Sequence, residues 1–399
     1  MISAMRTSYW YAVLAASASV SLALGVRQTF GLFLLPLAQE HGLSATVIGA
    51  AVALHNLMWG ISQPFCGAMA DRYGAGRVIL VGGIVYALGL LLPALFPSSL
   101  TLILGLGIGT GIGTGCAGSG TAMAAVSRIA PAERRNDAMG ISSAGGSLGQ
   151  AAMVPIAQVA IAAWGTSGAL ILLAGLMLFA LPIGRAIEWR PVARAAPTMG
   201  LRGLPKLAKE ALEDKGFALL TIGFFACGFQ LAFLTVHLPS YLALCGLPAG
   251  LGALTLMTVG LFNIPGSWAC GRLGNYIRPE IALGFIYIIR TICIAIFALV
   301  TPTELNTLIF AAVMGMIWLG TVPLTGAAIA RRFGVGNMGA LYGICFFSHQ
   351  IGGFLGAGSG AVLLDATGSY DAFWPVMVVV GLGAAVVNWV VRPPKVAMA

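Results

Sequence analysis

Gly67-Ala-Met-Ala-Asp71-Arg72-Tyr-Gly74-Ala-Gly-Arg77 is the stretch from which the architecture can be read, because it has a degraded second copy. Gly271-Arg-Leu-Gly-Asn275-Tyr-Ile-Arg278 repeats its pattern at an offset of 204 positions. A second pair follows. Ala138-Met-Gly140-Ile141-Ser and Ala340-Leu-Tyr-Gly343-Ile344-Cys set Gly140 against Gly343, and further on Gly149 against Gly352, at an offset of 203. Two related halves are the simplest explanation.

Working outward, each copy follows a long apolar segment. Apolar residues make up 59% of the 399 and charged residues 8%, against about 25% charged in soluble domains. So few charges cannot cover a soluble protein of this length. Segments of about 20 mainly apolar residues, enough to cross the hydrocarbon core, fall at 10–35, 46–69, 78–97, 101–126, 138–163, 166–187, 217–243, 250–273, 280–300, 306–330, 338–364 and 372–391. The first is too long for a signal-peptide core and reads as a retained helix. An all-α membrane protein of twelve spans results. The longest polar interruption, 188–216, divides it into an N-terminal bundle (1–187) and a C-terminal bundle (217–399) of six spans each. That interruption reads as a linker, and Leu204, Leu207 and Leu212 in its later part would suit a short interfacial helix.

Charge placement gives orientation. Apart from Arg27 and Arg290, every Lys and Arg lies at the N-terminus, in the even-to-odd loops or at the C-terminus, while the opposite loops hold Glu40, Glu304, Asp365 and Asp371 but no Lys or Arg. The positive-inside rule then places both termini in the cytoplasm. The net charge of +9 is therefore topological, and nucleic-acid binding is not indicated. The seven Cys lack ligand-like spacing and read as buried apolar thiols, without a disulfide framework, metal site or cofactor.

Arg27 and Arg290 lie within the first and ninth spans, and all twelve carboxylates lie in loops or at span ends. An ionisable residue at such depth costs at least about 2.5–3.5 kcal/mol and marks a functional site by default. A carboxylate-bearing substrate would supply the missing partner through the bidentate geometry of guanidinium. Arg27, next to Gln28, Thr29 and Gly31, is the stronger candidate. Arg290 is a second anion contact or, on the plainer reading, a donor to helix-end carbonyls.

The Gly67–Gly74 segment resembles the loop signature of the major facilitator superfamily, with Met69 in place of its Leu and the basic residue displaced to Arg77. The resemblance implies two six-helix bundles that rock around a site near the bilayer midplane. It also implies a gating role for Gly67, Asp71, Arg72 and Gly74, with Asn275 lacking the charge in the second copy. Arg27-Gln-Thr-Phe-Gly-Leu-Phe-Leu-Leu-Pro36, Gln63-Pro64-Phe65, His237-Leu-Pro239 and His349-Gln350 are similar to bacterial members near the monocarboxylate and oxalate/formate transporters. Proton-coupled members place an Asp and an Arg four residues apart in the eighth span, where this chain has Asn263 and Ser267.

Polar residues on helices that line the cavity in that superfamily complete the candidate substrate site. They are Arg27, Gln28, His55, Asn56, Trp59, Gln150, Gln230, His237, Asn263, Trp318, His349 and Gln350. A coupling proton would need a His, first His349 and then His237, or the substrate's own carboxyl group. Alternating glycines from Gly105 to Gly115 lack the Lys-Ser/Thr of a phosphate loop and read as close helix packing. The expectation is a monomeric secondary transporter of a small organic anion, a mono- or dicarboxylate, in a bacterial inner membrane, in contact with lipid. The alternative is proton-antiport efflux of amphipathic drugs or metabolites. Scattered intramembrane His residues without a carboxylate do not make an enzyme.

Overall fold

The structure, a computed structural model, describes residues 2–129, 135–187, 203–274, 276–333 and 338–393. Helix is the sole regular structure among them, as hydrocarbon requires when no strand edge can be satisfied. The first span is Ile2–Gln28, extended through a 3-10 turn, Phe30–Phe33, into Leu34–His41. Ala45–Tyr73 and Ala75–Leu95 are the second and third. The fourth begins at a Ser98–Thr101 capping box, runs as a π-helix over Leu102–Gly109 and continues as Thr110–Ala117 and Ser119–Ile129.

Fifth and sixth spans form one run, Arg135–Met177, that reverses at Gly165, whose φ of 67° suits a residue without Cβ. Ala180–Ala186 completes the sixth. Lys215–Leu244, Ala249–Leu273 and Pro279–Leu299 are the seventh to ninth. The tenth is Glu304–Met316 and Thr321–Phe333, interrupted where the sequence predicts one continuous helix. Met338–Thr367 and Phe373–Val390 complete the twelve.

The repeated glycines do equivalent work in the two halves. A Cβ on Gly149 would lie 2.0 Å from the Ser21 carbonyl oxygen, so the fifth span packs backbone to backbone on the first. A Cβ on Gly352 would lie 2.1 Å from the Phe225 carbonyl oxygen, so the eleventh packs the same way on the seventh. In lipid, such close van der Waals packing holds helices together without a hydrophobic drive.

One sequence expectation is corrected here. Cys66 of the second span and Cys116 of the fourth form a disulfide, with Cα atoms 5.0 Å apart. Their helices meet closely because Gly111 and Gly115 face His55 and Ser62, where a Cβ would lie 2.7 and 2.1 Å from its neighbour. Of the interruption at 188–216, residues 188–202 lie outside the described residues. Its later part forms the helix Leu204–Glu213, and Asp214 caps the seventh span through the Phe217 N–H at 2.8 Å.

The halves meet along a seam of the first, second and fifth spans against the seventh, eighth and eleventh. Gly31 abuts Thr235 and Val236, Gly49 abuts Ala361, Gly60 abuts Gln350, and Ala151 abuts Gly260. At the end bearing the acidic loops, Asp365 accepts from the Ala45 and Thr46 N–H groups at 3.1 and 2.6 Å.

Candidate functional site

Arg27 stands where the first helix breaks. Thr29 Oγ1 donates back to the Val26 carbonyl at 2.7 Å, and the chain tightens into the turn that follows. The guanidinium reaches the second span, where Nη2 donates to Asn56 Oδ1 at 3.1 Å and the group lies 5.3 Å from the Trp59 ring centroid. Arg27 is half-buried, and among the described residues no carboxylate lies within ion-pair distance of it. Five donors meet one hydrogen-bond acceptor there.

Across the seam the eleventh span presents an aromatic wall. Phe346 sits edge-on to Trp59 at 5.1 Å, and His349 stacks on Phe346 at 5.6 Å with ring planes 6° apart. His349 Nδ1 pairs with Gln350 Oε1 at 3.1 Å. Asn56 Nδ2 reaches the Gly353 carbonyl at 3.5 Å, so the Arg27 partner itself touches both halves.

Several buried polar atoms here lack a protein partner among the described residues. They include Trp59 Nε1, Gln350 Nε2, His55 Nε2, Gln150 Oε1 and both amide atoms of Gln28. Buried polar groups are satisfied in the great majority of cases. Unpaired donors on facing sides of the seam are therefore groups that a polar ligand would satisfy. His55 Nδ1 lies 2.7 Å from Thr110 Oγ1, whose own hydroxyl donates to the Leu106 carbonyl. Nδ1 must then donate, which leaves Nε2 as an acceptor in the neutral ring.

The remaining candidates separate from this group. Gln230 Nε2 donates to the Met377 carbonyl at 3.0 Å. His237 is held at both nitrogens, by the Tyr370 hydroxyl at 2.9 Å and the Ala357 carbonyl at 2.7 Å. Both ties lie inside the C-terminal half. Arg290, fully buried, donates from Nη2 to the Ile317 and Trp318 carbonyls at 2.8 and 3.0 Å and from Nη1 to Cys227 Sγ at 3.5 Å. Those carbonyls belong to the interruption of the tenth span, and the Trp318 side chain is buried beside them.

Asn263 is a junction rather than a lone polar group. Its Nδ2 donates to Ser147 Oγ of the fifth span at 2.9 Å, and its Oδ1 accepts from the Leu319 N–H at 3.1 Å and Ser267 Oγ at 2.9 Å. Of the gating candidates, Gly74 ends the second span at a φ of 92°, Gly67 has open space around it, and Arg72 lies over the Tyr73 ring. The Asp71 side chain and Asn275 lie outside the described residues.

Thr110, Ser147, Phe346 and Cys227 were not legible as site residues. Each is an ordinary apolar-span residue until a partner from a distant helix reaches it.

Twelve helices in two related halves, meeting at a polar seam, define a membrane carrier. Residues 16–357 match the Major Facilitator Superfamily, and the chain belongs to that superfamily as a multi-pass membrane transporter. It is similar to the uncharacterized MFS-type transporter YcxA of Bacillus subtilis (strain 168), 27% identical over 375 residues that cover 90% of each chain. It is also similar to monocarboxylate transporter 13 of Bos taurus, 27% identical over 371 residues, covering 91% of this chain and 84% of the relative. The oxalate:formate antiporter of Oxalobacter formigenes is 22% identical over 379 residues, covering 91% and 87%.

Proposed function

We propose that this transporter moves a small organic anion, a mono- or dicarboxylate, across a bacterial inner membrane by alternating access, as a single chain with both termini cytoplasmic. The observation that carries the reading is Arg27, a cation at a helix break on the seam between the halves 1–187 and 217–399, with one hydrogen-bond acceptor among the described residues. A guanidinium so placed favours anions and disfavours free cations. Trp59 Nε1, Gln350 Nε2 and Gln28 would complete a carboxylate's hydrogen bonds, and Phe346 with His349 would flank its apolar part. Two of the relatives above, a monocarboxylate transporter and an oxalate:formate antiporter, are named for this class of substrate.

Coupling would not use an Asp–Arg pair in the eighth span, since Asn263 and Ser267 bond to each other as neutral groups. A coupling proton would travel on His349, which lies in the seam, rather than on His237, whose two nitrogens are occupied. Asp71 and Arg72 would gate the cytoplasmic end. Arg290 belongs to the frame of the tenth span and not to the anion site.

Thermal-shift screening of carboxylates followed by counterflow in proteoliposomes tests the proposal, because a ligand of the folded state raises apparent stability. Arg27→Gln is expected to abolish counterflow of the carboxylate that wild type accepts. Unchanged transport of a neutral amphipathic compound by Arg27→Gln, with no carboxylate transported by wild type, would replace this reading with efflux.

A further inference from the structure

We propose that Asp365 is the latch that closes the extracytoplasmic end of the seam, joining the eleventh span of one half to the start of the second span of the other. Of the reading above this rests on alternating access and on the orientation with both termini cytoplasmic, and substrate identity does not enter it. The carboxylate spans 320 positions of sequence to reach its partners, with Oδ1 on the Ala45 N–H at 3.1 Å and Oδ2 on the Thr46 N–H at 2.6 Å. Those two N–H groups open the second span and have no partner within the helix. Ser44 already caps Val47 at 3.2 Å from within its own chain segment. Asp365 therefore takes up donors that the local cap leaves over.

A charge at a helix N-terminus is stabilising through both the hydrogen bonds and the helix dipole. Here that stabilisation exists only while the two halves are together at this end. Below the latch, Gly49 packs on Ala361 and Ala53 packs near Gly358, which seals the seam toward mid-depth. Rocking the halves apart would strip the N–H groups of Ala45 and Thr46 and return the carboxylate to water. Asp365 is exposed, so water already reaches it in the closed form.

Burial raises the Asp365 carboxyl, but hydrogen bonds from Thr46, Ala45 and Ser44 outweigh it and hold the group below its ordinary range. A carboxyl depressed in the closed form contributes closure above its ordinary pKa, near about 3.9, and loses it as pH falls through the lower closed-state value. Between pH 5 and 8 the latch is therefore constant, and it is not the carrier of a coupling proton. The groups facing it do not alter this. Tyr370 lies within electrostatic reach and hydrogen-bonds to His237. Glu40 and His41 at the end of the first span are engaged on Thr166, and Asp371 follows in the next turn. The facing helix start contributes only Ser44, Ala45 and Thr46.

The test needs no substrate. Ala53→Cys places a thiol in the sealed seam, where Ala53 is 1% exposed, and Cys245→Ser removes the exposed native thiol near this end. Labelling of Cys at 53 by a membrane-impermeant maleimide from outside is compared with Asp365 intact, Asp365→Asn and Asp365→Glu. Loss of one cap-strength contact is expected to raise the labelling rate about tenfold in Asp365→Asn. Asp365→Glu should remain closer to wild type, and because maleimide reacts with the thiolate and every rate rises with pH, it is the ratio of Asp365→Asn to wild-type labelling that should stay constant from pH 5 to 8. Equal labelling in all three, with unchanged melting temperatures, would overturn the latch. A ratio that falls toward one as pH drops from 8 to 5 would overturn its fixed charge.

Discussion

Arg27 and Arg290 each sit in an apolar span with no carboxylate nearby in sequence, yet they meet opposite surroundings. Arg290 is wholly enclosed, and its guanidinium is matched to two carbonyls, a sulfur and the face of Tyr287 at 5.6 Å. Arg27 is half-buried and has, among the described residues, a single hydrogen-bond acceptor, Asn56 Oδ1. The acceptors of Arg290, two carbonyls of the interruption and Cys227 Sγ of the seventh span, all lie in its own half, whereas Arg27 faces the seam between halves. Depth in the membrane thus marks both residues as costly, but the supply of acceptors decides which is frame and which is site.

The sharpest way to break the contrast is to neutralise each arginine in turn. Arg27→Gln should reduce carboxylate counterflow by about a hundredfold or more, since truncating one partner of a buried charge pair costs about 2–5 kcal/mol. Its melting temperature should hold or rise, because one interhelical hydrogen bond contributes only about 0.6 kcal/mol in a membrane. Arg290→Gln should do the reverse. Hydrogen bonds to charged groups contribute about 1.5–3 kcal/mol each, so loss of the pair to Ile317 and Trp318 should destabilise by about 3 kcal/mol or more. Melting curves in detergent check this, and a stable Arg290→Gln protein that fails in transport would move Arg290 into the site.

Asn263 sharpens the comparison from the other side of the same interruption. It holds the Leu319 N–H while Arg290 holds the two preceding carbonyls, and it also bonds Ser147 across the seam. Asn263→Ala should cost about 1–2 kcal/mol, summed over three neutral hydrogen bonds of about 0.6 kcal/mol. That is less than for Arg290→Gln. An equal or larger loss would mean that the interruption is held chiefly from the eighth span, and the frame role given to Arg290 would shrink.

The twelve spans and the repeat were legible because hydrocarbon imposes a length and a polarity that any single helix must meet alone. Gly149 and Gly352 were legible as a pair because both halves use them for the same close approach. The interruption at Ile317 was missed, although Gly315, Gly320 and Pro323 flank it, because its carbonyls are satisfied by an arginine 27 positions upstream that no local pattern connects to it. The π-helical stretch Leu102–Gly109 read simply as glycine-rich packing. Arg27, Asn56, Trp59, His349 and Gln350 were legible as polar residues in lipid, but which of them meet depends on helix rotation. Rotation also separates Gln230 and His237 from them, since both bond within their own half.

The smallest expected effect tests the premise that Arg27 is only lightly held. Among the described residues Asn56 Oδ1 is its one hydrogen-bond acceptor, while Asn56 Nδ2 also bonds the Val52 carbonyl at 3.2 Å in its own helix. In Asn56→Ala the guanidinium would lose about 0.6 kcal/mol of contact but would stay over Trp59 with every donor free for a carboxylate. Counterflow should therefore persist, with KM shifted by about threefold or less, in contrast to its loss in Arg27→Gln. A drop as deep as that of Arg27→Gln would show that Asn56 fixes the arginine's position instead of merely occupying it. The difference between the two arginines would then be one of degree.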